Sequence, residues 1–281
     1  MNIAFSTNAY LKFSFAEAVR RLAAIGYRGV EIMADVPHAW PACLLAEQKQ
    51  AILKNLDQYG LRISNINAFM MNAISDPRQK YWHPSWIEAD PHYRRIRVEH
   101  TIRALTLARE LGAACITTEP GGPVSPGSSW SAALQLFVEE LKPVIAHAEK
   151  KEVLLLIEPE PGLLVETADQ FLELMQHIDS PAVGLNFDIG HFYCVGDDPA
   201  ATVPRLATYI RHFHLEDIAS TRVHHHLIPG DGAIDFAATL RAIRKLGYQG
   251  WITVELYPYV DDPDAAARTA LERVDAILKA L

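Results

Sequence analysis

The feature that most constrains the fold is a series of short apolar segments, each followed by a helical pattern. Eight such strand-then-helix units can be marked, with strands near 2–7, 29–34, 61–69, 114–119, 153–158, 183–188, 210–215 and 251–256. Several strands are nearly continuous apolar runs, which is typical of parallel strands buried on both faces. Eight units in 281 residues predict one domain, 1–281, that folds as a closed α/β barrel of the (β/α)8 type, the TIM barrel.

An open, doubly wound sheet is the structural alternative. Such a sheet normally places its chemistry at one switch point in the strand order. The candidate functional residues here are instead spread over strands four to eight, which favours the closed barrel.

Composition narrows the class of protein. The formal net charge is -8 and no basic stripe stands out, so nucleic acid is an unlikely partner. Cys43, Cys115 and Cys194 are an odd, widely spaced set, typical of reduced thiols. The chain begins directly with a strand, lacks a signal-peptide pattern and has no apolar run of about 18 residues. We therefore expect a cytoplasmic protein that does not associate with membranes.

Four potential metal ligands lie at the ends of strands five to eight: Glu158, Asp188, His214 and Glu255. The C-terminal ends of barrel strands meet at one mouth, where active sites are built. Three carboxylates and one imidazole suit Mn, Mg, Co or Zn, and a metal would offset the cost of burying the carboxylates. The alternatives are that the glutamates are ordinary surface or strand-end residues, and that Asp188 caps the following turn.

A second group of polar residues follows strands six and seven. His191 comes three residues after Asp188, in D-I-G-H. In the loop 218–233, His224 and His226 alternate and can face the same way. They could bind a second metal or hold substrate, and Arg222 could clamp an anionic group. The alternative is a solvated polar loop.

Further acidic residues and histidines are weaker candidates. Glu160 either shares the site or faces solvent, and Glu31 and Glu119 end strands two and four in comparable positions. His212 shares a strand face with His214, as Glu216 would if the strand continued. We interpret His212 as an interior histidine lower in the barrel.

The segment 70–93 is long, aromatic and interrupted by proline. Loops of this length are usually lids or binding loops. Its aromatic residues could stack on a sugar ring or simply pack; they include Tyr81, Trp82 and Trp86.

Six motifs in order along the whole chain resemble one superfamily. They are A-x-x-G-Y-x-G-V-E (23–31), I-E-P-x-P, N-F-D-I-G-H, H-x-H-L-E-D, P-G-D-G-A-I-D-F and V-E-L-Y. Together they are similar to the xylose isomerase-like TIM-barrel superfamily, which includes sugar phosphate isomerases/epimerases, ketose 3-epimerases and endonuclease IV-type nucleases. The resemblance implies a metal held by Glu158, Asp188, His214 and Glu255, with the two glutamates also acting as the acid/base pair.

The resemblance also implies substrate-binding residues. It assigns substrate contacts to His191 and, less directly, to Arg222, and we add Asn67 and Glu119. Asn67 and Glu119 stand where the nuclease branch has histidines, and His224 stands where it has an aspartate. These departures argue against a complete three-metal nuclease site. They leave a possible second metal near Glu119, His191, His224 and His226.

The leading functional hypothesis is a metal-dependent isomerase or epimerase of a sugar, a sugar phosphate or an inosose-like compound. A proton would be removed next to a carbonyl, and a metal-bound enediolate would form. The alternatives are a hydrolase or phosphoesterase of the endonuclease IV type, a dehydratase using the same site, and a non-catalytic sugar-binding barrel. Relatives often self-associate, so a homo-oligomer is a further expectation.

Overall fold

A computed structural model describes residues 1–70 and 82–281. Its centre is a closed barrel in which each strand pairs in parallel with the next and the eighth pairs with the first. The predicted (β/α)8 barrel is therefore confirmed. The strands are β1 (Asn2–Ser6), β2 (Gly29–Met33), β3 (Arg62–Asn67), β4 (Cys115–Thr118), β5 (Leu154–Ile157), β6 (Val183–Asp188), β7 (Ile210–Leu215) and β8 (Trp251–Val254).

Helices alternate with the strands and surround the barrel. Short 3-10 turns follow β1 and β8, at Thr7–Tyr10 and Tyr257–Tyr259. The α-helices are α1 (Phe15–Ile25), α2 (Ala46–Tyr59), α3 (Pro91–Leu111), α4 (Trp130–Lys151), α5 (Ala168–Gln176), α6 (Ile189–Cys194), α7 (Pro199–Leu206), α8 (Phe236–Lys245) and α9 (Pro263–Ala280).

Local sequence explains where these helices begin and end. Ser14 accepts a hydrogen bond from the Glu17 amide at the start of α1, and Asp90 caps α3 in the same way through His92. Gly60 and Gly112 end α2 and α3 with φ angles of 64° and 75°, a left-handed conformation that glycine adopts without steric cost. The chain therefore turns back to the barrel directly after each of these helices.

One short helix, α6, was not predicted. The sequence places His191 on a turn after β6, whereas the structure continues Ile189–Cys194 as a helix. Asp188 caps it, because its Oδ1 accepts from the His191 amide at 2.7 Å. Asp188 therefore caps the turn after β6 through its Oδ1 atom, as one of the two sequence-based alternatives predicted. Its Oδ2 atom takes no part in this cap and can serve as a ligand.

Two register shifts set which side chains meet around the barrel. Val30 opposes Ile63 but Glu31 opposes Asn65, so β3 carries one extra residue, Ser64. In the same way β7 carries an extra residue, and Asp188 comes to oppose His214. Such irregularities redirect side chains and are common near active sites.

The segment 70–93 is described only in part, because residues 71–81, including Tyr81, lie outside the described residues. Trp86 is fully buried and packs on Phe137, with ring centroids 5.7 Å apart. Trp86 therefore packs against the protein interior, which is one of the two roles predicted for the aromatic residues of this segment. Within 1–70 and 82–281, no helix combines the length and the apolar character needed to cross a membrane.

Candidate functional site

The four strand-end ligands meet at the C-terminal mouth of the barrel. Glu158, Asp188, His214 and Glu255 are all buried, and one ligand atom from each lies within 4.8 Å of the others. His214 Nδ1 is 2.9 Å from Glu158 Oε1, 3.8 Å from Asp188 Oδ2 and 3.7 Å from Glu255 Oε2. The geometry can hold a single cation between three carboxylates and one imidazole.

Asparagine amides orient the two glutamates. Asn186 Nδ2 donates to Glu158 Oε2 at 2.9 Å. Asn8 and Asn67 donate to Glu255 Oε1 at 2.9 and 3.2 Å. Each glutamate thus has one oxygen held by amide groups and the other directed toward His214. Asn67, which the sequence analysis assigned to substrate, lies in the site and contacts a glutamate.

The electrostatics of this cluster favour a cation. Burial, together with repulsion from Asp188, raises the pKa of Glu158 to about 7, and burial raises that of Glu255 well above its usual range. Burial opposes charge on His214, but the surrounding carboxylates, Glu158 first, outweigh it and raise its pKa. One imidazolium cannot balance three buried carboxylates, and Asp188 Oδ2 has no hydrogen-bond partner among the described residues. The donor set therefore fits a divalent metal ion.

Three histidines form a second group beside the first. His191 Nε2 and His226 Nε2 each lie 3.1 Å from His224 Nε2. Their Nδ1 atoms face carbonyl oxygens, that of Pro159 for His191 and that of Glu255 for His226, both at 2.9 Å. A carbonyl only accepts, so both Nδ1 atoms carry the proton and both Nε2 atoms present lone pairs.

Within this group of three rings, the Nε2 lone pairs of His191 and His226 both face His224 Nε2. A neutral His224 ring offers them at most one proton there, so the two lone pairs compete for it. Burial lowers the pKa of His191 and His224 to about 3, which keeps these rings neutral. A cation between the rings would remove the conflict.

Glu216 is a further candidate for a functional residue. From the sequence it was predicted only to share a strand face with His212 and His214. Its Oε1 accepts from the Gly190 amide at 2.6 Å, and no donor within residues 1–70 and 82–281 reaches its Oε2. Ligand atoms of Glu216, Asp188 and His226 lie within 4.8 Å of one another. A Cβ at position 190 would lie 2.0 Å from Glu216 Oε1, so the glycine of D-I-G-H makes room for this carboxylate.

A cavity opens above these groups, and its lining combines aromatic rings with convergent polar groups. Sequence reasoning missed Asn8, Phe69 and Tyr257, which carry no metal-ligand signature. The lining residues are Asn8, Asn67, Phe69, Glu158, Glu160, His191, His224, His226, Glu255 and Tyr257.

The structure gives two of the weaker candidates a place in the site. Glu160 Oε1 lies 3.2 Å from His224 Nδ1, so Glu160 shares the site and does not face solvent. Glu31 Oε2 accepts from His214 Nε2 at 2.7 Å. His212 is a buried interior histidine, as expected, with its Nε2 3.9 Å from Glu31.

Arg222 and Glu119, which the sequence suggested as substrate contacts, are not among the described residues that line the cavity. Arg222 donates to the Tyr193 carbonyl at 2.6 Å and its guanidinium lies over the Tyr193 ring. Glu119 accepts from the amides of Trp86 and Gly121 at 3.2 and 2.6 Å. Each side chain is thus held by neighbouring backbone, and Glu119 belongs to neither group of metal-ligand atoms.

Comparison with known protein families shows the family to which this chain belongs. Residues 19–277 match the model of the xylose isomerase-like TIM barrel family. The chain belongs to this family, and the resemblance found in its motifs is confirmed.

Individual relatives are an epimerase and a dehydratase. Fructoselysine 3-epimerase of Escherichia coli O157:H7 is 26% identical over 285 residues, covering 99% of this chain and 98% of that protein. Inosose dehydratase of Clostridium beijerinckii is 25% identical over 269 residues, covering 86% and 82%.

Solved structures show the same fold. A D-tagatose 3-epimerase-like protein has a TM-score of 0.80 at 24% identity, covering 99% of this chain and 100% of the other. The IOLI protein with a bound zinc atom has a TM-score of 0.80 at 20% identity, covering 99% of each chain.

Proposed function

We propose that this protein is a divalent-metal-dependent isomerase or epimerase of a sugar or an inosose-like compound. The observation that carries the proposal is the pair Glu158 and Glu255. Both are buried and line one cavity, and each keeps one oxygen free of the amides that hold the other. The epimerase relative supports the same chemistry.

The proposed metal ligands are Glu158, Asp188, His214 and Glu255. Support comes from the converging ligand atoms and from the zinc-bound structural neighbour. Asp188 Oδ2 adds to it, because this atom has no hydrogen-bond partner in the part of the chain that the structure describes. A divalent ion, Mn, Zn, Co or Mg, would act there as a Lewis acid on the substrate carbonyl.

The two glutamates are the proposed acid and base. One removes the proton from the carbon next to the carbonyl, and the other returns a proton to give the product. Asn186 on one side and Asn8 with Asn67 on the other hold each carboxylate in a fixed direction. Such fixed placement is what makes proton transfer efficient. His191 lines the same cavity and is the proposed substrate contact.

The direct test is a panel of ketoses, aldoses and inososes in deuterated water with Mn, Mg, Co or Zn added. An isomerase or epimerase incorporates deuterium at the carbon next to the carbonyl and yields a product of unchanged composition. A metal-loaded protein that binds a substrate yet neither exchanges a proton nor forms a product would contradict the proposal.

A dehydratase is the second candidate, favoured by the inosose dehydratase relative. The first step is the same proton removal, and a neighbouring hydroxyl then leaves as water. Loss of water from an inosose in the same panel, seen by mass spectrometry, separates this outcome from epimerisation.

We further propose a second cation site, in which Glu216 and Asp188 take the place that the sequence-based set gave to Glu119. His191, His224 and His226 supply facing nitrogens, and Glu216 with Asp188 supplies oxygens in place of Glu119. Elemental analysis of the purified protein tests it, since two ions per chain are expected. A His224→Asn variant should then retain one. A single ion in the wild-type protein would contradict the second site, and would also disfavour a multi-metal hydrolase or phosphoesterase.

A further inference from the structure

We propose that Glu31, at the end of β2, is a positioning residue that holds the His214 imidazole so that Nδ1 faces Glu158, Asp188 and Glu255. The inference deepens the proposed function and rests on its metal site. Glu31 does not line the cavity, so its action passes through His214 and not through the substrate.

The contact defines the ring orientation. Glu31 Oε2 lies 2.7 Å from His214 Nε2, and both side chains are fully buried. A carboxylate accepts in this contact, so Nε2 carries the proton. A metal-ligating histidine must offer a lone pair, and Nδ1 is the nitrogen left to do so. Ligating histidines commonly give their other ring N–H to a carboxylate, which fixes the ring and strengthens the ligand.

Glu31 is itself held in place by β3. Asn65 Nδ2 donates to Glu31 Oε2 at 2.8 Å and also to Thr117 Oγ1 at 2.7 Å. Asn65 opposes Glu31 only because Ser64 is the extra residue in β3. The Ser64 hydroxyl pairs instead with Thr253, at 3.0 Å. The register shift thus supplies the donor that aims the Glu31 carboxylate.

In the described part of the chain, His214 and Asn65 are the hydrogen-bond partners of the buried Glu31 Oε2. Among the described residues, His212 is the other imidazole near Glu31, and its Nε2 is 3.9 Å away, too far for a hydrogen bond. A buried carboxylate without a close partner is costly. The short bond to His214 therefore both stabilises Glu31 and orients the ligand.

The test is zinc affinity of the full-length protein, freed of metal and titrated against a competing chelator. Glu31→Gln keeps the size and one acceptor oxygen of the side chain but removes its charge. We expect zinc binding about 10- to 100-fold weaker, with the number of ions unchanged. Glu119→Gln is the matched control, a buried strand-end glutamate that does not touch His214, and should bind zinc as the wild-type protein does.

A spectroscopic measurement separates positioning from a purely structural role. In zinc-loaded wild-type protein with ¹⁵N-labelled histidine, we expect His214 to be protonated at Nε2 and coordinated through Nδ1, and the Nε2 proton signal to weaken in Glu31→Gln. Coordination through Nε2 in the wild type would overturn the inference even if the variant did not fold. Wild-type zinc affinity in a folded Glu31→Gln would overturn it as well. Failure of the wild-type protein to bind zinc would instead contradict the metal site itself.

Discussion

Glu119 and Glu158 are the same local feature at two adjacent strands, and the barrel uses them differently. Each glutamate follows an apolar strand, precedes a proline and is buried. Burial raises the pKa of both to about 7. Glu158 faces His214 and the cavity, whereas Glu119 faces the guanidinium of Arg97 and the backbone amides of its own turn.

The difference shows that a shifted pKa does not by itself identify a catalytic carboxylate. Arg97, from α3, is fully buried and donates to the carbonyls of Ala68, Phe69 and Pro84. Glu119 lies 3.7 Å from Arg97 Nε and so belongs to the structure that holds the chain on both sides of residues 71–81. The partner supplied by a distant element decides the role of each glutamate.

The largest expected effect is on activity. Glu158→Gln removes the proposed acid or base and one metal ligand, so turnover should fall about 1,000-fold, with the fold retained in circular dichroism. Glu119→Gln should keep turnover close to the wild-type value. The distinction between the two glutamates fails if their turnover losses are equal.

A smaller effect is expected on the free energy of unfolding. Here Glu119→Gln should have a larger effect than Glu158→Gln. Above about pH 7, where the Glu119 carboxyl is ionised, Glu119→Gln leaves the Arg97 charge buried without its carboxylate, which should cost about 3 kcal/mol in the free energy of unfolding. Urea denaturation of the metal-free proteins measures this value. Glu158→Gln should be no less stable than the wild type, because it removes a carboxylate whose ionisation is opposed by burial and by Asp188. A fully stable Glu119→Gln would show that the Arg97 contact is not an effective ion pair.

Metal removal is the next way to distinguish Glu158 from Glu119. At a free metal concentration about 100 times the Kd, binding adds about 2.7 kcal/mol to stability. Chelation should therefore lower the melting temperature of the wild type and of Glu119→Gln alike. Glu158→Gln should respond much less, because it lacks a ligand. An equal response in all three proteins would place the ion outside the four-residue cluster.

The smallest expected effect is on the pH dependence of stability, and it concerns His100, whose ring feels the charge of Arg97. Burial, with a contribution from the Arg97 charge, lowers the pKa of His100 to about 3. The native state thus keeps His100 neutral, whereas the unfolded chain binds a proton below about pH 6.5. Its contribution to stability is present above that pH and decreases as the pH falls, by about 2 kcal/mol at pH 5.

His100→Phe tests this dependence, because phenylalanine can keep the stacking on Trp40 seen at 4.8 Å. The readout is the slope of unfolding free energy against pH between 6.5 and 5. The slope should be shallower in the variant than in the wild type. Parallel slopes would mean that His100 is not a source of acid sensitivity.

Much of the molecule could be predicted from the sequence. Apolar strands, capping residues and helix-ending glycines give the eight strands to within about two residues, because these signals are local. Glu158, Asp188, His214 and Glu255 could be grouped for a topological reason. Parallel strands of a closed barrel all end at the same mouth, so similar positions on different strands become neighbours in space.

The rest depended on contacts that no local pattern encodes. Asn8 and Asn186, which orient the glutamates, are ordinary polar residues in sequence. Glu216 becomes part of the site only because Gly190 leaves room for it. The single extra residue in β3 decides that Asn65 meets Glu31. A shift of one residue changes which side chains face each other, and its position is not visible in the apolar pattern.

The sequence by itself determined the barrel, the family and the mouth at which the ligands of a metal would gather. Only the tertiary structure decided that Glu158 faces His214 while Glu119 faces Arg97, and that Glu31 lies behind the His214 ring. The physical reason is that strand formation follows from local periodicity, whereas the partner of a buried charge is set by register and by helices distant in the chain. The energetic cost of an unpartnered buried charge makes that partner decisive for function.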